Sequence, residues 1–414
     1  MTMPNSEIIL ISISGEDKPG VTTAVTNILG VYNATILDIG QADIHQTLSL
    51  GILFKVANAT ESGNILKEVL FKCTELNLSV RFTPITEERY TSWVNRQGKN
   101  RHIVTVLGKV ISAKHLSIVT NSILEQNLNI DSIKRLTGRL PLNAEDSLTD
   151  QKACIELSVR GDLKDKSKLS AEFLKFSSEL GIDISFQKDD MFRRNRRLIC
   201  FDMDSTLIKT EVIDELADRA GVGEQVRAIT EAAMRGEIDF SESFKQRVAL
   251  LKGLDESVME QIALTLPIMD GAFRLMSILK KCGIKIAILS GGFTYFGNYL
   301  KKLFDVDYVY ANELEIVDGK LTGNYIGDIV DGKRKAELLR LIAQVEKIDL
   351  AQVIAVGDGA NDLPMLNLAG LGIAFHAKPT VKENAQQSIS TIGLDGVLYF
   401  LGFRDIHIDE TTNG

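Results

Sequence analysis

Apolar residues follow different patterns in the two halves of the chain. Near the N-terminus, the apolar run at 7–14 (EIILISIS) has β character, and helical spacing follows at Val25, Ile28 and Leu29. From about residue 198, short apolar runs alternate with longer helical segments, a pattern typical of βαβ units and a parallel sheet. The chain therefore predicts an α+β N-terminal half followed by an α/β C-terminal half.

The N-terminal half contains a loose internal repeat. Residues 102–107 (HIVTVL) resemble the first strand, and the helix after them carries VTNSIL where the first helix carries VTNIL. Each copy continues with two strand-like runs, a second helix at about 62–77 or 166–180, and a last strand. Two copies of this order fit two α+β domains, each with its helices on one face of an antiparallel sheet.

Three buried strands are predicted in the C-terminal half, at 198–201, 284–289 and 353–356. Each is followed at once by a polar or glycine-containing turn. Because ligands of open α/β sheets bind beyond the carboxyl ends of the strands, we expect these turns to converge on one site. Between the halves, the segment 191–198 (MFRRNRRL) carries four arginines. It could form an anion patch, but we predict a solvated linker.

Length and composition exclude several classes of protein. A chain of 414 residues suggests two or three domains. Its net charge of -8 makes nucleic acid an unexpected partner, since a phosphate backbone would be repelled. No apolar stretch approaches the ~18 residues of a membrane helix. The four cysteines lie far apart without a CxxC pair, which favours a reduced, cytoplasmic protein over a disulfide or zinc framework.

The first turn of the α/β half places two carboxylates, Asp202 and Asp204, at the end of a strand. Side chains at i and i+2 share one face, so one carboxylate can attack an electrophile while the other moves protons beside it. The pair also offers the oxygen ligands that Mg²⁺ prefers. Taken alone, such a pair is equally compatible with an ordinary acidic loop.

The other two turns offer groups for an anion. Ser290-Gly291-Gly292 is predicted to open a helix, where a hydroxyl and backbone N–H groups could receive a phosphate, although a simple N-cap serine fits equally. The segment 357–362 (GDGAND) is neither a dinucleotide fingerprint nor a P-loop. Lys335 lies near the start of an amphipathic helix, where an ordinary surface lysine would also fit.

The order of these four elements resembles the motif set of the haloacid dehalogenase superfamily. DMDST, a serine after an apolar strand, a helix-borne lysine and GDGAND follow one another as in that superfamily. FDMDSTLIKTEVIDELA, from Phe201, resembles the first motif of its phosphoserine phosphatase family. The resemblance spans about 198–400. It implies a Rossmann-like parallel sheet with a helical cap at about 211–265, and Mg²⁺-dependent hydrolysis of O-phosphoserine, the last step of serine synthesis.

The resemblance implies the catalytic and metal-binding roles. Asp202 would be the nucleophile that takes the phosphoryl group, and Asp204 would protonate the leaving alkoxide and then deprotonate water. Mg²⁺ would be held by the Asp202 carboxylate, the Asp204 backbone carbonyl and Asp358, with Asp362 in support. Phosphoryl transfer needs such an in-line nucleophile with cations on the phosphoryl oxygens.

The resemblance also implies the residues that would contact the substrate. Ser290, the Gly291 N–H and Lys335 would bind the phosphate, and Asn361 would line the site.

In the cap, Glu211 would face the substrate ammonium and Arg247 would grip its carboxylate, with Met234 and Phe240 as apolar residues over the ligand. A solvated helix face is the alternative for Glu211 and Arg247. An ammonium site together with a carboxylate site would select an amino acid.

Both N-terminal copies resemble ACT domains, small-ligand regulatory modules, at about 5–90 and 100–188. The most specific feature is GEDKPGVT at 15–22, which the second copy lacks. The resemblance implies ferredoxin-like folds, an amino-acid effector such as serine bound at Asp17 and Gly20, and a homodimer. The alternative is plain α+β domains used for dimer contacts.

The expected domains are 1–92, 98–190 and 191–414. Three other functions remain open. Two are enzymatic: phosphoryl transfer to another alcohol such as homoserine, and hydrolysis of another small phosphomonoester. The third is a regulatory amino-acid sensor whose catalytic half is secondary.

Overall fold

The computed structural model describes residues 6–57, 59–95, 100–139 and 151–412, apart from the side chains of Ala59, Met234 and 409–412. The chain divides into two compact units, Met1–Lys99 and Asn100–Gly414. Among the described residues, no helix is long and apolar enough to cross a membrane.

The first unit is a four-stranded antiparallel sheet with two helices packed on it. Its sheet order is β2-β3-β1-β4. Apolar residues at alternate strand positions, such as Ile11 and Phe54, meet Val25 and Val69 of the helices in the core. The elements are β1 (Glu7–Glu16), α1 (Val21–Val31), β2 (Thr35–Ile44), β3 (Thr47–Val56), α2 (Ala59–Glu75), β4 (Ser79–Ile85) and α3 (Glu87–Asn95).

The second copy has the same fold, which confirms the predicted repeat. Its sheet order, β6-β7-β5-β8, matches the first sheet strand for strand. The elements are β5 (Arg101–Gly108), α4 (Ala113–Glu125), β6 (Asn129–Arg135), β7 (Ala153–Arg160), α5 (Lys166–Leu180) and β8 (Asp183–Lys188).

The rest of the second unit is built on a seven-stranded sheet in the order β12-β11-β10-β9-β13-β14-β15. All neighbours in it are parallel except β11 and β12. The strands are β9 (Leu198–Phe201), β10 (Lys285–Phe293), β11 (Tyr308–Val317), β12 (Lys320–Ile326), β13 (Val353–Gly357), β14 (Leu371–Phe375) and β15 (Gln387–Ile389). The predicted parallel sheet is confirmed.

The predicted helical insertion lies between β9 and β10. Its helices are α6 (Val212–Ala220), α7 (Gly223–Met234), α8 (Phe240–Leu250) and α9 (Ser257–Thr265). The remaining helices connect the strands or follow them: α10 (Ala272–Lys281), α11 (Thr294–Phe304), α12 (Gly332–Val345), α13 (Leu363–Leu368), α14 (Pro379–Asn384), α15 (Gly396–Phe400) and α16 (Asp405–Thr412).

The second α+β copy is joined to the seven-stranded sheet through a shared core. Leu107 and Cys154 belong to the same apolar cluster as Phe201. The buried Asp183 carboxylate accepts hydrogen bonds from the Ser390 N–H (2.9 Å) and from the Thr391 hydroxyl (2.6 Å). Burial nevertheless raises the pKa of Asp183 above its usual range. These contacts make the second copy part of the same compact unit.

The arginine-rich segment departs from the prediction of a solvated linker. Arg193 is 2% exposed and its guanidinium lies 2.6 Å from the Glu156 carboxylate of β7. Arg196 is half-buried and donates to the Ala351 carbonyl. Only Arg194 and Arg197 are exposed among the four arginines. The linker prediction is therefore wrong for two of them.

Candidate active site

The three predicted turns lie side by side because their strands are neighbours. β9 pairs with β10 on one side and β13 on the other, both in parallel register. Asp202 directly follows β9, and its backbone N–H donates to the Val356 carbonyl of β13 at 2.9 Å. Ser290 lies in β10, and Asp358 follows β13. The carboxyl ends of these strands therefore meet in one site, as expected.

A buried lysine links two of the acidic residues. Lys335, in the first turn of α12, is fully buried, and its Nζ lies 2.8 Å from Asp202 Oδ2 and 2.7 Å from Asp362 Oδ1. Burial alone would lower the pKa of Lys335, but the two carboxylates raise it, so the ammonium stays charged. The other oxygen of Asp362 accepts the Gly359 N–H at 3.0 Å. Both Asp362 oxygens are thus engaged within the protein.

Three carboxylates are crowded together beside this lysine. Oxygens of Asp202, Asp358 and Asp362 lie within 4.8 Å of one another. Burial and the charge of the neighbouring carboxylates raise the pKa of Asp358 to about 8 and that of Asp362 to about 7. The Thr206 hydroxyl lies 3.3 Å from Asp358 Oδ1. Such a cluster of hard oxygen ligands suits Mg²⁺, whose charge would relieve the repulsion.

Asp204 occupies a tight space near the start of the cap. The Val212 N–H donates to Asp204 Oδ1 at 3.0 Å. A Cβ added at Gly292 would lie only 2.4 Å from Asp204 Oδ2, so glycine leaves the room that this carboxylate uses. Burial, followed by the charges of Glu211 and Asp202, raises the pKa of Asp204 well above its usual value. The site therefore favours the protonated form that a general acid needs.

The serine turn is positioned by residues from neighbouring strands. Ser290 is fully buried, and its Oγ accepts the Gly292 N–H at 2.9 Å. Because β10 continues to Phe293 and α11 begins at Thr294, Ser290 does not directly open the helix, contrary to the prediction. Asn312 bridges the Gly291 carbonyl and the Val330 N–H, both at 2.8 Å.

Asn361 lies in the same corner of the site. It is half-buried in the 3₁₀ turn Ala360–Asp362. A Cβ at Gly332 would lie 2.5 Å from the Asn361 carbonyl oxygen, so this turn packs closely against the start of α12. That contact places Asn361 close to the start of α12, the helix that carries Lys335.

The cap helices bring polar and apolar groups over the turns. The Ser205 hydroxyl donates to the exposed Glu211 at 2.8 Å, and Ser205 itself has a φ of 55°. Arg247 is half-buried, and its Nε donates to the Ser243 carbonyl at 3.3 Å. Burial lowers the pKa of Arg247, while the charge of Glu211 opposes that shift.

Apolar contacts complete the cap side. The half-buried ring of Phe240 would lie 3.0 Å from a Cβ at Gly291, which places it over the serine turn. It stacks against Phe244 with a centroid distance of 6.3 Å. Met234 ends α7, and its side chain lies outside the described residues.

The two proposed regulatory residues lie in the first unit, at the start of α1. Gly20 is the N-cap with a φ of 95°, a left-handed conformation that glycine adopts readily. Among the described residues, no atom lies within 4 Å of where its Cβ would be, so conformation rather than close packing requires glycine. Asp17 is exposed, and its N–H donates to the Gln46 carbonyl at 2.8 Å.

Three positioning residues were not identified from the sequence. Ser205 and Thr206 belong to the DMDST motif, which was a sufficient signal for examining their hydroxyls. Asn312 has no motif around it and is recognised only because β11 lies next to β10.

Comparisons with known proteins agree with this architecture. The haloacid dehalogenase-like hydrolase family matches residues 196–370, and two ACT domain families match 7–83 and 100–187. A phosphoserine phosphatase of Streptomyces coelicolor is 38% identical over 95% of this chain and 92% of its own length. Phosphoserine phosphatase SerB2 of Mycobacterium tuberculosis is 37% identical over 100% of this chain and 97% of its own.

Among solved structures, a haloacid dehalogenase family hydrolase of Salmonella enterica has a TM-score of 0.62 and 30% identity. That match covers 72% of this chain and 98% of the other. The fold and its site define a haloacid dehalogenase-like phosphoric monoester hydrolase with a helical cap and two ACT domains. The chain belongs to the phosphoserine phosphatase family.

Proposed function

We propose that this enzyme hydrolyses O-phosphoserine to serine and phosphate through a phosphorylated Asp202. The observation that carries the proposal is the buried Lys335 ammonium 2.8 Å from Asp202 Oδ2. A cation so close offsets the repulsion between the Asp202 carboxylate and an incoming phosphate dianion.

In the first step, an Asp202 oxygen attacks phosphorus and the bond from phosphorus to the serine oxygen breaks. Asp204 gives its proton to that oxygen, so serine leaves as a neutral alcohol. In the second step, water attacks phosphorus while Asp204 takes its proton, and the bond to Asp202 breaks. The raised pKa of Asp204 supports the first role, because it favours the protonated form that a general acid needs. Transfer of that proton leaves the carboxylate that takes a proton from water in the second step.

Mg²⁺ is the cofactor that we assign to the site, because the carboxylate oxygens gathered there are the ligands it prefers. Asp202 and Asp358 would hold it, with the Asp204 backbone carbonyl as a third ligand. Asp362 would act in support, since Lys335 and the Gly359 N–H already engage its oxygens. When bound, the ion supplies positive charge to the phosphoryl oxygens.

Selectivity for phosphoserine is assigned to the cap. Glu211 would receive the substrate ammonium and Arg247 its carboxylate, while Phe240 and Met234 cover the ligand. Ser290, the Gly291 N–H and Lys335 would bind the phosphate, and Asn361 would line the site. Burial of Arg247 supports this role, because a partly desolvated guanidinium gains more from a bound carboxylate than an exposed one.

The ACT domains are proposed to bind a small amino acid, most simply the product serine. In the first domain, Gly20 provides no side-chain cap, so the first N–H groups of α1 are left for a ligand carboxylate. In the second, the Ser112 side chain already caps α4 through the His115 N–H at 3.3 Å. The first domain is therefore the better effector site, and the second serves structure.

Self-association is proposed through the first domain. Its edge strand β2 exposes Ile36, Ile39 and Ile44, and an exposed apolar edge strand favours pairing with a second copy. We expect a cytoplasmic homodimer.

Phosphate release from a panel of phosphomonoesters, with and without homoserine, tests the proposed reaction. Phosphoserine should be the best substrate, with serine and inorganic phosphate formed in equal amounts. Formation of phosphohomoserine at the expense of phosphate would instead support a phosphotransferase.

Calorimetry on the full chain tests the effector site, because the second ACT domain shares its core with the catalytic sheet and should not be cut away. Serine binding should weaken in Gly20→Val. It should persist in Gly181→Val, which places the same side chain at another exposed glycine with a positive φ. Equal binding in both variants would exclude Gly20 from the site.

A further inference from the structure

A cleft of about 770 Å³ lies between the second ACT domain and the amino ends of the catalytic strands. The catalytic turns lie at the opposite, carboxyl ends of these strands. One wall comes from α5 and β8, and the other from the segment before β9 and from residues 382–388. Both walls belong to one compact unit, so the cleft is part of a single body. Clefts between substructures are common places for small-molecule sites.

The charges around this cleft are unbalanced. Lysine and arginine contribute four side chains, Lys166, Lys188, Arg196 and Lys382, against the two carboxylates of Asp190 and Glu383. The Asp190 carboxylate is partly satisfied already, because it accepts the backbone N–H groups of Phe192 and Arg193 at 3.0 and 3.2 Å. The cleft is therefore suited to an anion.

Arg196 is the most specific of these cations. Its guanidinium is anchored at one end by the Ala351 carbonyl, and glycine at position 370 makes room for it, since a Cβ there would lie 2.6 Å from Nη1. Its Nε is buried without a hydrogen-bond partner among the described residues. Arg193, three residues earlier, is instead paired with Glu156. Within the described part of the chain, Arg196 makes no ion pair.

Burial makes the charged form of Arg196 less favourable. The pKa of its guanidinium is lowered by burial, which Asp190 opposes only in part. A desolvated cation without a paired anion is unfavourable, and a bound anion would relieve that cost. Lys382, half-buried on the same wall as Arg196, likewise makes no ion pair in the described ranges.

The cleft also has an apolar lining. Phe173 and Leu174 of α5, Phe186 of β8, and Leu371 of β14 all border it. The cationic side chains and the apolar lining together suit a molecule with one anionic group and one apolar part. A volume of several hundred Å³ is in the range of small-molecule sites.

We propose that this cleft binds a small organic anion, a carboxylate or a phosphate attached to an apolar body, with Arg196 and Lys382 as its cationic contacts. The proposal goes beyond the phosphatase reaction and is separate from the effector site assigned to the first ACT domain. Arg196 precedes β9 by two residues and Asp202 by six, so the bound anion would contact the segment that leads to the nucleophile.

The fluorescence of 8-anilinonaphthalene-1-sulfonate, an anion with an apolar body, tests the proposal on the full chain. The dye should bind the parent protein and bind about tenfold more weakly to Arg196→Gln and Lys382→Gln, each of which loses a charge-assisted contact. Lys302→Gln and Arg340→Gln, which change exposed residues outside the cleft, should bind as the parent does. Basal turnover of phosphoserine by Lys382→Gln should be unchanged.

Competition identifies the anionic group. Displacement of the dye by phenylphosphonate would indicate a phosphate-type ligand, and displacement by phenylacetate would indicate a carboxylate-type ligand. Uncharged benzyl alcohol should not displace the dye. The proposal is overturned if neither anion displaces the dye, or if Lys382→Gln binds it as tightly as Lys302→Gln does. Should Arg196→Gln fail to fold, the comparison of these two lysine variants still decides.

Discussion

Lys335 Nζ lies 2.8 Å from Asp202 Oδ2, and neither side chain is more than 7% exposed. The same ammonium holds Asp362 at 2.7 Å, so one cation organises two carboxylates. Removing one partner of a buried ion pair leaves an uncompensated buried charge. The resulting loss of stability is larger than the net stabilisation that the intact pair provides. The contact therefore matters for both the fold and the chemistry.

Lys335→Met should lower the free energy of unfolding by about 3 to 5 kcal/mol and abolish turnover, since Asp202 and Asp362 lose their shared cation. Denaturant titration and phosphate release measure the two effects. Lys333→Met, at an exposed position two residues earlier in the same helix, is the control and should change neither. Parent-like turnover by Lys335→Met would remove this lysine from the mechanism.

Gly292→Ala should reduce kcat by at least tenfold while leaving the protein folded, because the added methyl group would displace Asp204 Oδ2 from a position only 2.4 Å away. The matched control is Gly63→Ala, an exposed helical position where no atom of the described chain lies within 4 Å of the new methyl group. If both variants turn over phosphoserine at the parent rate, the space beside Asp204 has no catalytic importance.

Arg247→Ala should impair phosphoserine much more than 4-nitrophenyl phosphate, because only phosphoserine presents a carboxylate to the guanidinium. Loss of a charge-assisted contact of about 1.5 to 3 kcal/mol corresponds to roughly 10- to 150-fold in kcat/KM. Lys245→Ala, on the same helix and exposed, should leave both substrates unaffected. An equal loss on the two substrates would show that Arg247 serves the phosphate or the fold.

Mg²⁺ binding should weaken as the pH falls, because protons compete for the same carboxylates. In the metal-free protein the pKa of Asp358 is about 8 and that of Asp362 about 7, so both are largely protonated below pH 6.5 and ionise as the pH rises. Calorimetry should show an affinity roughly tenfold lower at pH 6.5 than at pH 8. An affinity that does not change over this range would contradict the role of Asp358 as a ligand.

The sequence was sufficient for the parts of this protein that depend on local pattern. The repeated α+β order and the three buried strands β9, β10 and β13 are confirmed, because the order of apolar runs and helical spacing along the chain indicates both. The turn residues Asp202, Ser290 and Asp358 meet because parallel strands share a carboxyl edge.

What the sequence did not reveal depends on contacts between distant residues. Arg193 was predicted to lie in a solvated linker, yet it is buried and pairs with Glu156, which lies 37 residues earlier in the chain. β10 continues past its apolar core to Phe293 because that residue pairs with Asn312 of the next strand. The helix α3 was not predicted either, since none of its residues is buried and its pattern is mainly polar.

The most direct test of the account is to find where the phosphoryl group resides during turnover. Enzyme mixed with ³²P-labelled phosphoserine and Mg²⁺ should be quenched in acid within milliseconds, digested and mapped. The account predicts an alkali-labile label on the peptide that contains Asp202, and no label in Asp202→Asn. Turnover without any protein-bound label, or a label on a peptide lacking Asp202, would contradict it.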